Sequence, residues 1–130
     1  MKSRLCTVGL TVVILFCGCS QDPKLFPVSG TITFDGAPVA DGDILFVPVD
    51  PALGPEPGTI KDGKYTLKAR EGQKRVEIRA SKILPGGAKG AGGEPVPEEF
   101  LPRKYNDNST LSAEVKSSGE NKADFALTGK

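Results

Sequence analysis

From residue 25 onward apolar and polar side chains alternate with a period of two, broken at regular intervals by turn residues, the pattern of an all-β sandwich or barrel. No stretch of this region keeps a helical period over three turns. The first predicted strand covers 26–34, with Val28, Ile32 and Phe34 on one face and Gly30 interrupting the series. Asp35-Gly36 tolerates positive φ and ends it in a tight turn. A second strand over 43–49 is apolar on both faces, with Ile44, Phe46 and Pro48 on one side and Leu45 and Val47 on the other. Pro48 has no N–H to donate, so the strand is expected to leave the ladder or lie on an edge there.

Residues 50–58, with Pro51, Pro55 and Pro57, read as a rigid loop, and Thr59-Ile60-Lys61 leads into a turn at Asp62-Gly63. Tyr65, Leu67 and Ala69 then alternate with Thr66, Lys68 and Arg70. After a reversal at Glu71-Gly72, Val76, Ile78 and Ala80 alternate with Arg75, Glu77 and Arg79, giving one apolar and one charged face. Two last strands are expected over 111–115 and 123–127. The predicted core is Val28, Ile32, Phe46, Leu67, Val76, Ile78, Leu111, Val115, Phe125 and Leu127.

Segment 81–104 stands apart, with glycines at 86, 87, 90, 92 and 93 and prolines at 85, 95, 97 and 102. A stretch of this length inside a small domain is usually functional or disordered. Between Pro85 and Pro95 no large apolar residue offsets the entropy of ordering, so the tip is expected to be mobile. Residues 97–102 are expected to form one helical turn that docks Phe100 and Leu101, with Tyr105 joining them on the sheet.

The opening of the chain is of another kind. Lys2 and Arg4 precede an apolar run over 5–16, which at 1.5 Å per residue is too short to span a hydrocarbon core about 30 Å thick and fits the h-region of a signal peptide. The run closes on Leu15-Phe16-Cys17-Gly18-Cys19-Ser20, which resembles the bacterial lipobox. The resemblance implies cleavage before Cys19 and acylation of that cysteine with fatty chains such as palmitate. Ser20 in the next position implies, by the same resemblance, sorting to an outer membrane, facing periplasm or exterior. The expected division is a leader over 1–18, a lipidated tether over 19–24 and one β-sandwich domain over 25–130. Cys6, Cys17 and Cys19 are the only cysteines, so cleavage would leave no pair for an intramolecular disulfide, and the core alone must hold the fold.

Charge and composition narrow the function. Of the 17 Lys and Arg, Lys2 and Arg4 would leave with the leader, so 15 remain against 16 Asp and Glu. That balance argues against a nucleic-acid surface, which needs clustered cations to neutralise phosphates. The chain has no histidine, which removes the commonest proton shuttle near neutral pH and a principal ligand for zinc and copper.

The order of pieces carries a further resemblance: residues 26–40 read FPVSGTITFDGAPVA, then come Ile44-Leu45-Phe46-Val47-Pro48, Asp62-Gly63-Lys64-Tyr65-Thr66-Leu67, Lys104-Tyr105-Asn106-Asp107 and Ala123-Asp124-Phe125-Ala126-Leu127. Together they resemble small bacterial lipoproteins with a carboxypeptidase regulatory-like or transthyretin-like domain, over nearly the whole of the chain after the leader. That resemblance implies a Greek-key sandwich of seven or eight strands and, for most such proteins, no assigned activity. Enzymatic relatives with a transthyretin fold use histidines and a C-terminal Tyr-Arg-Gly-Ser that this chain lacks, so their activity is not expected here.

Other candidate chemistry has simpler readings. Asp35, Asp41, Asp43 and Asp62 sit beside glycines, and turn chemistry explains them without calcium. Lys24 and Asn121 are a conceivable pair for a Lys–Asn cross-link, but both fall in polar surroundings and the reaction needs burial. Adjacent Glu98 and Glu99 read as a solvated surface rather than a catalytic dyad. The sequence thus predicts a non-catalytic, membrane-anchored module that binds an envelope protein or polymer through loops at one end, with no cofactor, no metal and no nucleic acid. The alternative is an envelope hydrolase or small-ligand carrier with its site in loop 81–104.

Overall fold

The computed structural model describes residue 18 and residues 22–130; the rest of the expected leader, with Cys19, Ser20 and Gln21, lies outside the described residues. Within them the chain is all-β, with one 3-10 turn at Arg103–Tyr105, and no helix is long and apolar enough to cross a membrane. The strands are β1 (Phe26–Phe34), β2 (Ala37–Pro38), β3 (Asp41–Pro48), β4 (Glu56–Lys61), β5 (Lys64–Ala69), β6 (Gly72–Arg79), β7 (Ser81–Lys82), β8 (Glu98–Glu99), β9 (Ser112–Val115), β10 (Asn121–Lys122) and β11 (Phe125–Leu127). The main sheet runs β10-β1-β5-β4-β3-β6-β9, with β11 and β2 also pairing to β1, and β7 with β8 forms a separate ribbon. Only β10 and β11 run parallel to their partner, β1; the rest of the sheet is antiparallel.

Alternation gives the sheet one apolar face, around which it curls. Every strand of the path from β1 to β9 turns one parity inward, and Val28, Ile32, Ile44, Phe46, Ile60, Leu67, Val76, Ile78 and Val115 form one buried cluster. The sheet curls until its edge strands β9 and β10 are joined by residues 116–120 alone. There the Asn121 side chain substitutes for a strand partner, accepting from Lys116 N at 2.8 Å and donating to Lys116 O at 2.9 Å. Asp35-Gly36 and Asp62-Gly63 make the expected tight turns with φ of 49°, 83°, 51° and 74°, the double positive φ that a right-twisted hairpin demands. Gly30 has a different cause: a Cβ there would lie 1.8 Å from Ala123 O and 2.9 Å from the Tyr65 ring. The bare backbone lets Tyr65 reach across and donate to Ala123 O at 2.6 Å, tying the closing segment to the sheet.

Several expectations need correction. β4 begins at Glu56, inside the stretch read as loop; residues 56–58 pair with β3 alone, and an edge is where a sheet tolerates a proline such as Pro57. Residues 97–102 form no helical turn, because Glu98–Glu99 are drawn into pairing with Ser81–Lys82, and the 3-10 turn falls later. The glycine-rich tip folds back on itself through a Lys89–Pro95 bridge and a Gly90 N to Glu94 O bond of 2.9 Å. Leu111 and Phe125 pack against the core only half-buried, whereas Leu101 is buried as expected.

The pairings also sort the loops into two ends. Phe26 pairs with Ala69, Pro48 with Lys74 and Gly72 with Val115, so the start of β1, loop 49–55, Arg70-Glu71 and turn 116–120 share one end. Asp41 pairs with Lys61 and Asp43 with Arg79, so both Asp-Gly turns and segment 81–110 gather at the other.

Candidate functional site

The far end from the start of β1 carries a cleft of about 610 Å³. One wall is the hairpin of β1, β2 and the start of β3, contributing Pro38, Val39 and Asp41; the other is the β7–β8 ribbon with Lys82, Ile83 and Pro97. Phe34 and Phe100 meet edge to face with ring centroids 5.6 Å apart, and both line the cavity. Two backbone anchors set the ribbon: Phe100 N donates to Ala80 O at 3.1 Å, and Glu99 Oε1 accepts from Ala80 N at 2.9 Å. Ile83 remains 59 % exposed at the rim, an apolar side chain that the fold itself does not cover.

Charge at the cleft is sparse. Lys82 Nζ lies 4.5 Å from the Phe100 ring centroid, a cation held over an aromatic face, and Asp41 is 4.0 Å from Lys61 across the outer surface. Such a site offers apolar area with one cation and one carboxylate at its margin, suited to orienting a largely apolar ligand.

A second constellation sits at the opposite end. Glu56, Lys74 and Arg70 converge where β4 and β6 begin and β5 finishes, with the Glu56 and Lys74 side chains 7 % and 2 % exposed. Glu56 Oε1 accepts from Arg70 N at 3.1 Å and from Arg70 Nη1 at 2.9 Å. Glu56 Oε2 lies 3.0 Å from Lys74 Nζ, although no donor is aligned on it. The chemistry here is mutual neutralisation: each charge is buried only because its partner is, and the pair fixes the base of loop 49–55. Sequence reasoning missed it, although Lys74 shares the inward parity of Val76 and Ile78, the one signal that could have exposed it.

At the cleft end the C-terminal residues are held by Tyr105, whose hydroxyl accepts from Thr128 N at 2.9 Å, and by Asp35 Oδ1, which accepts from Gly129 N at 3.0 Å. Hydrogen bonds from the Thr128 hydroxyl and backbone, with Lys104 nearby, hold the Tyr105 phenol below its ordinary value. Burial, reinforced by Asp124, pushes Tyr65 well above it. Asp124 is itself lowered by the Thr31 N–H and hydroxyl.

The residues weighed from sequence fall apart in space or into structural work. Asp35 and Asp62 are turn residues, Asp41 and Asp43 lie exposed on β3, and no group of three or more possible metal ligands occurs among the described residues. Glu98 Oε1 accepts from Ala88 N while Glu99 serves Ala80 N, so the adjacent carboxylates hold different backbone segments. Asn121 commits its amide to Lys116, and Lys24 is exposed. Cys19 lies outside the described residues.

No family model matches the chain, and no curated protein matches it. Among solved structures, a 9R-lipoxygenase from Cyanothece PCC8801 is similar over 84% of this chain and 18% of that chain, at 11% identity and a TM-score of 0.39. This chain therefore spans less than a fifth of the lipoxygenase, and likeness at that level carries no argument about fold or function.

Proposed function

We propose that the protein is a lipid-anchored component of a bacterial cell envelope, a Greek-key sandwich of the carboxypeptidase regulatory-like, transthyretin-like kind that binds a partner without catalysing a reaction. Anchoring rests on the leader and the lipobox-like run ending at Cys19. A sandwich is favoured by the way the sheet folds its inward parity into one core and brings its edge strands onto a short connection. The observation that carries the binding role is the apolar cleft at the end remote from the start of β1: a domain tethered at one end presents the other outward, and there Ile83, Pro38, Pro97 and Phe100 stay accessible around a cavity. Non-catalytic binding is favoured because Ser81, the hydroxyl at the cleft, has no histidine to activate it in a chain that contains none.

A photo-crosslinking residue at Ile83 tests this reading in cells, with Lys68 on the outer face of β5 as control. A discrete envelope adduct from position 83, absent from position 68 and lost on Lys82→Glu or Phe100→Ala, is the expected result. Identical adduct patterns from both positions would remove the cleft from consideration.

A further inference from the structure

Of the five exposed large apolar side chains among the described residues, three gather at the end where the tether leaves the domain. Leu25 is 46% exposed just before β1, and at the same end Val49 is 81% and Leu53 39% exposed. These two flank a preformed turn: Ala52 N bonds Asp50 Oδ1 at 2.9 Å and Leu53 N bonds Asp50 O at 3.1 Å, with Pro51 and Pro55 stiffening the segment. Its base is pinned from below by the buried Glu56–Lys74–Arg70 cluster, so the apolar side chains are presented on a rigid support rather than left to collapse onto the sheet.

From these observations we infer that loop 49–55 seats Val49 and Leu53 in the interfacial region of the lipid bilayer, fixing the domain upright with its cleft directed away from the membrane. The inference rests on acylation of Cys19. Five residues lie between Cys19 and Leu25, and the six steps of chain reach at most about 20 Å even when fully extended, so this end of the domain cannot stand far from the lipid. Nearby charges are balanced, with Lys24, Lys68, Arg70 and Lys116 against Asp22, Asp50, Glu71 and Glu120, and Glu56 paired with Lys74 beneath them. Contact is therefore driven by apolar burial and does not need anionic lipid.

The chain has no tryptophan, so a single introduced indole reports its own surroundings. The full acylated protein carrying Leu53→Trp, or Ile83→Trp at the cleft as control, is reconstituted into phosphatidylcholine vesicles whose acyl chains are brominated near the headgroup. Emission from position 53 is expected to be strongly quenched and blue-shifted, at low and high salt alike, while position 83 is unaffected. Equal emission from both variants, with the protein still floating with vesicles, would overturn the inference while leaving the anchor intact. If neither variant floats and no acyl chain is found, the anchoring reading fails and the inference falls with it.

Discussion

Replacing Phe46 with Ala removes the largest fully buried side chain of the core. Phe46 is 0% exposed on β3 between β4 and β6, and its ring lies 6.3 Å from that of Tyr65 at a tilt of 56°. Deleting a buried phenyl ring costs about 3–5 kcal/mol, because transfer energy and an unfilled cavity add, and the lost aromatic neighbour is part of that sum. Small domains have only about 5–15 kcal/mol in hand, and residues 22–130 contain no cysteine that could form a disulfide to offset the loss. At about 4–8 °C per kcal/mol for a domain near this size, the midpoint should fall by roughly 12–40 °C. Phe125, half-buried on β11, offers an internal comparison and should cost about half as much, ~1.5–2.5 kcal/mol. Urea and thermal melts followed by circular dichroism, in a Cys19→Ala background free of lipid, measure both. An unchanged m-value with a midpoint for Phe46→Ala near that of the parent, or a greater loss for Phe125→Ala than for Phe46→Ala, would show that the core is not where the curled sheet places it.

Gly30→Ala drives a methyl group into Ala123 O and should release the closing strand, read as fast amide exchange over β10 and β11. Glu56→Gln leaves the buried Lys74 ammonium short of its counter-charge and should cost ~3–5 kcal/mol, whereas Glu56→Leu with Lys74→Met should recover most of that loss in the same urea melts. In an ultraviolet phenolate titration the two tyrosines should separate, Tyr105 ionising below the ordinary 10.0 and Tyr65 well above it. Because the Tyr65 value is raised in the folded state, its contribution to stability is complete below pH 10 and is lost as pH rises through that raised value; Tyr65→Phe should blunt the alkaline loss. Asp124 has the opposite sign: its lowered value gives stability above pH 3.8 that disappears on acidification, and Asp124→Asn should flatten that acid limb.

Much of the scaffold was legible because period-two alternation and Asp-Gly turns are local signals. β1 has the bounds its pattern predicts, and Ile44, Phe46, Val76 and Ile78 face inward as their parity requires. What stayed hidden depends on partners distant in sequence. Pro57 marks a loop unless β3 is known to lie alongside. Glu98-Glu99 next to prolines suggests a turn until Ser81–Lys82 supplies a ladder. The cleft joins Pro38 to Pro97 across the whole middle of the chain, and no local pattern announces it. The buried Glu56–Lys74 pair was half visible, as a lysine on the apolar parity of β6, but its carboxylate comes from a strand hidden among prolines. The reversal within the glycine tip was not legible because it is set by backbone bonds, which composition does not reveal.

Everything proposed about orientation and role depends on one covalent fact, the state of Cys19. Mass spectrometry of the protein extracted from membranes reads it directly. The account predicts a mature N-terminal peptide beginning at Cys19 and carrying diacylglyceryl and fatty-acyl groups, with Cys19→Ala either released or left unprocessed. A mature chain that begins elsewhere, or a Cys19 peptide free of acyl mass in a protein still bound to the membrane, would contradict it.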